Sequence, residues 1–249
     1  MYGNIVTLIG LVVLWGAGCF YLIKVKESSL FNRPKLVNLL CIIFCFICHI
    51  ISMLITLFDV GFNDWNFQNM MPYANVSPFL FILSPIYFVL PKGIKKYFLN
   101  LVSLLTIGMI ISPIASLVHY ISINYAYHAK FLLDFVPHLV FSLWGVYIIQ
   151  SKQITLNIKD SIISGSSLVA TAIIMLILNV IFDRSFFGLS LNGKHSIYNV
   201  VLVSNSYLSA GIYFTGLIVA LLLGYLFQKL CNHLSEKEKN RNQAVFFLS

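Results

Sequence analysis

The chain is short of charge. Only 10% of its 249 residues are Asp, Glu, Lys or Arg, and acidic side chains number 8. A soluble domain carries about a quarter of its residues charged, so this set is too sparse to cover a water-facing surface. Phosphate-cradling glycine patterns are missing as well: neither a GxGxxG run nor a Walker motif occurs, and there is no periodic repeat or low-complexity tract. Nucleotide-binding and solenoid architectures therefore have no support. The basic residues that do occur are spread along short segments without forming a compact module, which argues against a nucleic-acid partner.

What fills the chain instead is apolar: 59% hydrophobic and 15% aromatic residues, with a mean hydropathy of +0.89. About 20 such residues, at 1.5 Å rise each, cross a hydrocarbon core roughly 30 Å thick. By that measure the predicted spans are Asn4–Ile23, Leu36–Phe58, Tyr73–Leu90, Tyr97–Ile121, Phe131–Gln150, Ser161–Phe182 and about Ala210–Phe227. The expected fold is all-α, a polytopic transmembrane bundle of seven helices, with residues 1–228 as one transmembrane domain and 229–249 as a basic cytoplasmic tail. The first span is expected to be retained, because no Lys or Arg precedes it and no small-residue cleavage site follows. Gly16-Ala17-Gly18-Cys19 resembles a lipoprotein cleavage box but carries Gly three before the cysteine, where a large aliphatic residue is needed.

Charge sets the orientation. Lys24, Lys26, Arg33, Lys35, Lys92, Lys95, Lys96, Lys152, Lys159, Lys229, Lys237, Lys239 and Arg241 fall on one side of the spans, and only Lys130, Arg184 and Lys194 on the other. Short cytoplasmic loops retain Lys and Arg, so the predicted N-terminus is outside and the C-terminus cytoplasmic. Anionic lipid headgroups are the partners such loops would meet. The abundance of Ile, Phe, Lys and Asn is that of an AT-rich genome and points to a bacterial plasma membrane.

Cys41, Cys45 and Cys48 share a helical face beside His49. Soft metal ligation and simple packing as small hydrophobes are the two readings, and packing is preferred because no second cysteine cluster exists. No cofactor or metal is expected. None of the five cysteines lies in a predicted external loop, so no structural disulfide is expected. Gly216, Ala220 and Gly224 repeat every four residues on span seven, which would let a neighbouring helix come close. Pro78, Pro85, Pro113 and Pro137 each remove a backbone donor within a span and would loosen it.

Ionisable groups at membrane depth carry the functional signal, since each costs roughly 2.5–3.5 kcal/mol at a helix centre unless paired or hydrated. With the orientation above, His49, His119, Asp134, His138, Asn179 and Asp183, together with Asn75 and Ser77, fall in one outer layer contributed by five helices. Asp134 and His138 are four residues apart, so a carboxylate could orient an imidazole as a general base requires. An interhelical hydrogen bond near the headgroups is the structural alternative. The layer is expected to line an outward-facing vestibule, with the long external loop Asp183–Ser209 as a cap and Ile197–Tyr207 lying on or dipping into the membrane.

The run Met71-Pro72-Tyr73-Ala74-Asn75-Val76-Ser77-Pro78-Phe79, His138 in a span closing near Trp144-Gly145, and Asn179 at the outer end of span six resemble the YwaF-like family of bacterial multi-spanning proteins. Over most of the chain, the resemblance implies a similar span count and a relation to animal cysteine-dependent phospholipid acyltransferases with a histidine on another span. The sequence departs from the family pattern at Ala74, where the nucleophilic cysteine would stand, at Pro72, where a histidine would stand, and after Asn179, where no Asn-Tyr pair follows. His138 and Asn179 carry over, with Asn75 as a conformational marker. Ser77, one turn below, is the candidate nucleophile by its proximity.

Three function classes follow. One is a lipid-directed acyltransferase or hydrolase with His138 as base, Asp134 as its orienter and Ser77 as nucleophile, the ligand vestibule adding His49, Asn75, His119 and Asn179. A second is a small-solute binding or transport protein using the same layer. The third is a membrane scaffold without chemistry of its own. A seven-helix receptor fits the span count, but span seven has no Lys for a retinal-type Schiff base and the cytoplasmic loops are short.

Overall fold

The computed structural model describes residues 2–24, 29–60, 76–111, 128–182, 187, 189 and 206–248. Among them all regular structure is helical: α1 (Tyr2–Lys24), a 3-10 turn Ser29–Asn32, α2 (Pro34–Val60), α3 (Val76–Leu83) passing into a 3-10 stretch Ser84–Phe88, α4 (Lys92–Leu104), α5 (His128–Gln150), α6 (Ile158–Phe182) and α7 (Ser206–Leu248). Helix resumes over 106–111 after a turn at Leu105. Three stretches, Pro34–Ile55, Ile158–Phe182 and Ala210–Lys237, are long and apolar enough to cross a membrane. The expected cap falls almost wholly outside the described residues, as does Pro113.

Local chemistry explains several boundaries. Asn157 caps α6, its Oδ1 accepting the Asp160 backbone N–H at 2.7 Å, while Asp160 places a carboxylate in the first turn. Pro91 precedes α4, and Pro85 stands where α3 tightens to 3-10 geometry. Pro137 lies inside α5 without ending it. Within the segment read as a basic cytoplasmic tail, 229–248 is helical and continues α7, with Cys231 and Ser235 buried and Asn232 donating to Glu236 one turn on.

α5 is the central helix, packed against α1, α2, α4 and α7, while α6 lies against α4 and α7. Its Phe141, Trp144, Val146 and Ile148 are essentially inaccessible. Hydrogen bonds staple neighbours to it: Trp15 Nε1 donates to Ser142 Oγ at 2.8 Å, and Ser142 Oγ donates to the Thr106 carbonyl at 2.7 Å. The outer faces of α2, α6 and α7 stay apolar, with Ile47, Leu54, Ile162, Ile177, Ile181, Leu222 and Leu226 all exposed. Contiguous apolar surface of that kind calls for an apolar solvent.

The small residues divide in their roles. A Cβ on Gly224 would overlap the Leu104 carbonyl oxygen, and a Cβ on Gly108 would meet Ala220 at 3.5 Å, so Gly224 and Ala220 are where α7 crosses α4 and its continuation. Gly216, expected in the same seam, has open space around it. Gly145 plays the matching part on α5, where a side chain would collide with Thr106 Oγ1. Gly224→Val should therefore lower stability by about 3 kcal/mol or more, read as a fall in melting temperature in detergent, while Gly216→Ala should leave it unchanged. Equal effects from the two would refute this packing account.

Candidate functional site

Two of the sequence-predicted histidines meet across one phenylalanine. Cys45, fully buried on α2, donates from its thiol to the Pro137 carbonyl on α5 at 3.5 Å. His49 lies one turn further along α2 and His138 directly follows Pro137, so this contact brings the two imidazoles to neighbouring levels. Phe81 of α3 reaches both, its ring centroid 5.1 Å from His138 edge-on and 6.1 Å from His49. His49 Nε2 is buried and has no hydrogen-bond partner among the described residues. Ser77 precedes Phe81 by four residues, which puts it on the same face of α3, about 6 Å along the axis.

The ring of Phe81, only 2% exposed, is in contact with both histidine rings. An aromatic column continues inward: Phe81 to Phe141 at 5.7 Å, then Phe141 to Trp144 at 5.5 Å.

Asn179 has a different task. Buried on α6, it donates from Nδ2 to the Leu189 carbonyl, and Phe187 packs edge-on against Phe79 at 5.2 Å. Both Phe187 and Leu189 are buried, Phe187 against α3 and Leu189 against α6. Asp134 stands one turn before His138 on the backbone of α5; its side chain, and Asn75 and His119 entirely, lie outside the described residues. Cys19, Cys41, Cys45, Cys48 and Cys231 are free thiols, and the described residues contain no group of three or more His, Cys, Asp or Glu suited to a metal ion.

The densest polar chemistry sits at the opposite end and was not singled out by the sequence reading. Asn38, 1% exposed, accepts from Trp144 Nε1 at 2.8 Å and donates to Gln153 Oε1 at 2.8 Å and Tyr87 Oη at 3.2 Å. Asp160 pairs with Lys96 at 3.1 Å and also accepts from Thr155 and Asn157. Its hydrogen bond holds the Lys96 ammonium above the usual lysine range. Buried Gln228 donates to Asn100 Oδ1 at 3.0 Å and to Ser103 Oγ, and Gln150 donates to the Cys231 carbonyl at 3.2 Å. The available signal was a lone Asn or Gln in an apolar run, repeated on α2, α4, α5 and α7.

Four lysines at this end lie over aromatic rings: Lys24 over Phe20 at 5.6 Å, Lys95 over Tyr87 at 5.2 Å, Lys96 over Tyr97 at 4.5 Å and Lys229 over Tyr225 at 5.5 Å. Lys229 also donates to the Leu156 carbonyl at 2.9 Å, tying α7 to the α5–α6 connection.

Replacing Asn38 with Leu would strand the Trp144 indole N–H and the Gln153 amide oxygen. A loss of about 2 kcal/mol in unfolding free energy is expected, against less than half of that for Gln153→Leu, both measured by denaturation in detergent. A neutral Asn38→Leu would show that this hub does not hold α2 to α5. Comparisons with family models, with curated proteins and with solved structures find no match to this chain.

Proposed function

We propose that the chain is an integral membrane protein of seven spans, amino terminus outside and carboxy terminus cytoplasmic, whose outer histidine site acts on lipid acyl esters in a bacterial plasma membrane. The topology draws support from the four lysine–aromatic pairs at one end, an arrangement suited to headgroup level, and from the exposed aliphatic faces of α2, α6 and α7. In intact cells, a membrane-impermeant thiol reagent should label Lys194→Cys and spare Lys152→Cys in a cysteine-free background. The reverse pattern would invert the orientation.

One observation carries the site: His49 and His138, from separate helices, flank Phe81, and Ser77 shares the Phe81 face of α3. In the proposed reaction, His138 takes the Ser77 proton while Oγ attacks the ester carbonyl. The lysolipid oxygen leaves with that proton, and the acyl group passes from Ser77 to water or to a second hydroxyl. Asp134, one turn away on α5, orients His138. The unpartnered His49 Nε2 is a further polar group for the ester. The resemblance to YwaF-like proteins, whose animal relatives are phospholipid acyltransferases with a histidine on another span, supports this substrate class and His138 as the base, with Ala74 standing where their cysteine would be.

Reconstituted protein should release labelled acyl chains from phospholipid. His138→Ala and Ser77→Ala should each cut the rate by about 100-fold or more, and Asp134→Asn by about tenfold. Turnover that is absent in the unaltered protein, or unchanged in His138→Ala, would remove this function. A second reading, small-solute binding or transport, is favoured by the buried unpartnered oxygens of Thr106, Gln150 and Gln228. Uptake into proteoliposomes that survives His138→Ala but is lost in Gln228→Leu would establish it in place of the first.

A further inference from the structure

Asn179 is a buried amide on α6 that takes no part in the proposed reaction. Its contacts lead to the far side of α3. With eight residues, α3 is too short to keep its own place, so its seat depends on what packs against it. Ser77 and Phe81 share one face of α3, and on that face Phe81 meets His49 and His138. Phe79 is two residues from each of them, about 200° around the helix, and so points the other way. There it meets Phe187 edge-on, with ring centroids 5.2 Å apart.

The backbone at Phe187 is strained. Its φ of 58° lies in the left-handed region, which a bulky residue keeps only where its surroundings over-determine it. Two contacts supply that restraint. The Phe187 ring has no exposed surface and packs on Phe79. Two residues on, the Leu189 carbonyl accepts from Asn179 Nδ2. Asn179 is a firm anchor, because α6 is a 25-residue helix bonded to α4 at its other end through Ser161 and Asp160. Contacts thus run from α6 through Asn179, Leu189, Phe187 and Phe79 to α3, and onward through Phe81 to the histidines. We infer that Asn179 and Phe187 are positioning residues, which clamp α3 from behind and hold Ser77 and Phe81 at His49 and His138. The inference rests on the histidine site proposed above and names what assembles it.

The experiment places para-fluorophenylalanine at position 81 of the purified full chain and records its fluorine spectrum in detergent. That ring is on the face of α3 away from Phe187, so it reports movement of the helix and not a hole beside the deleted side chain. Phe187→Ala, Phe79→Ala and Asn179→Leu should each displace or split the resonance of the unaltered protein. The double variant Phe79→Ala, Phe187→Ala should go no further than either single one, because both remove the same contact. In phospholipid vesicles the same variants should lower kcat by about 10- to 100-fold with KM nearly unchanged, as misplaced reacting groups do. An unchanged resonance at 81, or additive effects of the two alanines, would overturn the clamp, and so would a displaced resonance with kcat intact. Absence of turnover in the unaltered protein would remove the reaction alone, and the spectra would still decide the clamp. If none of the variants folds, the unaltered chain labelled at 81 or at 187 decides it: the two resonances should broaden over the same temperature range, and independent broadening would overturn the inference.

Discussion

The contact between Asn38 and Trp144 fixes the alignment of α2 on α5, and much else follows from it. Its companion, Cys45 to Pro137, lies seven residues away on each helix, in opposite directions. Two helical turns on one helix are thus matched by two on the other, the repeat that keeps a pair of antiparallel helices facing each other. His49 lies one turn beyond Cys45 on α2, His138 directly follows Pro137 on the Trp144 side, and both reach Phe81. A slip of one residue would turn both imidazoles by about 100° and strand the Asn38 amide among apolar neighbours. The polar hub therefore specifies the register that the apolar packing of Ile42, Phe141 and Ile148, being non-directional, leaves open.

A second constraint acts between α4, α5 and α7. Gly145 and Gly224 let α5 and α7 come within backbone contact of α4, and only at that separation can Gln228 reach Asn100 and Ser103. Close approach and polar bonding are coupled here: the glycines remove the side chains that would hold the helices apart, and the amides make that approach directional. Because Asn100 continues to Ser161 and Ser161 adjoins Asp160, the same network extends to α6 and to Lys96.

The helical class and the three strongly apolar stretches were legible in composition and length, as was the seam through Ala220 and Gly224. Gly216 was not separable from them, because spacing shows which residues share a face but not how far a partner helix extends along it. The helical continuation of α7 was hidden by polar composition; what sustains it is burial of Cys231 and Ser235 against the bundle and the bond from Asn232 to Glu236. In the candidate site, depth alone placed His49 and His138 near one level, yet Phe81 between them was invisible, since a phenylalanine in an apolar span carries no positional signal. Asn179 was legible as buried and polar, but its partner, the Leu189 carbonyl, is a backbone atom that no side-chain pattern encodes. The amides Asn38, Asn100, Gln150 and Gln228 were passed over because each is uncharged and stands alone in its own helix; their meaning lies in pairings across helices.

The two polar regions differ in physical character, and the difference suggests a division of labour. At the basic end lysines lie against rings, Asn38 and Lys229 are bonded to the α5–α6 connection, and Lys96 pairs with Asp160 of α6. Hydrogen-bonded networks in a low-dielectric interior are stiff because breaking one member strands the others. Near the histidines, Phe81 makes aromatic contact with both rings, and the Cys45 thiol forms an inter-helix hydrogen bond. Aromatic edge contacts are worth only about 0.5–1.5 kcal/mol each beyond burial, so rotation of Phe81 is opposed by far less than dismantling the Asn38 hub. The column from Phe81 through Phe141 to Trp144 is the direct packing route between the two ends, so a displacement at the histidines reaches the Asn38 hub through aromatic contacts.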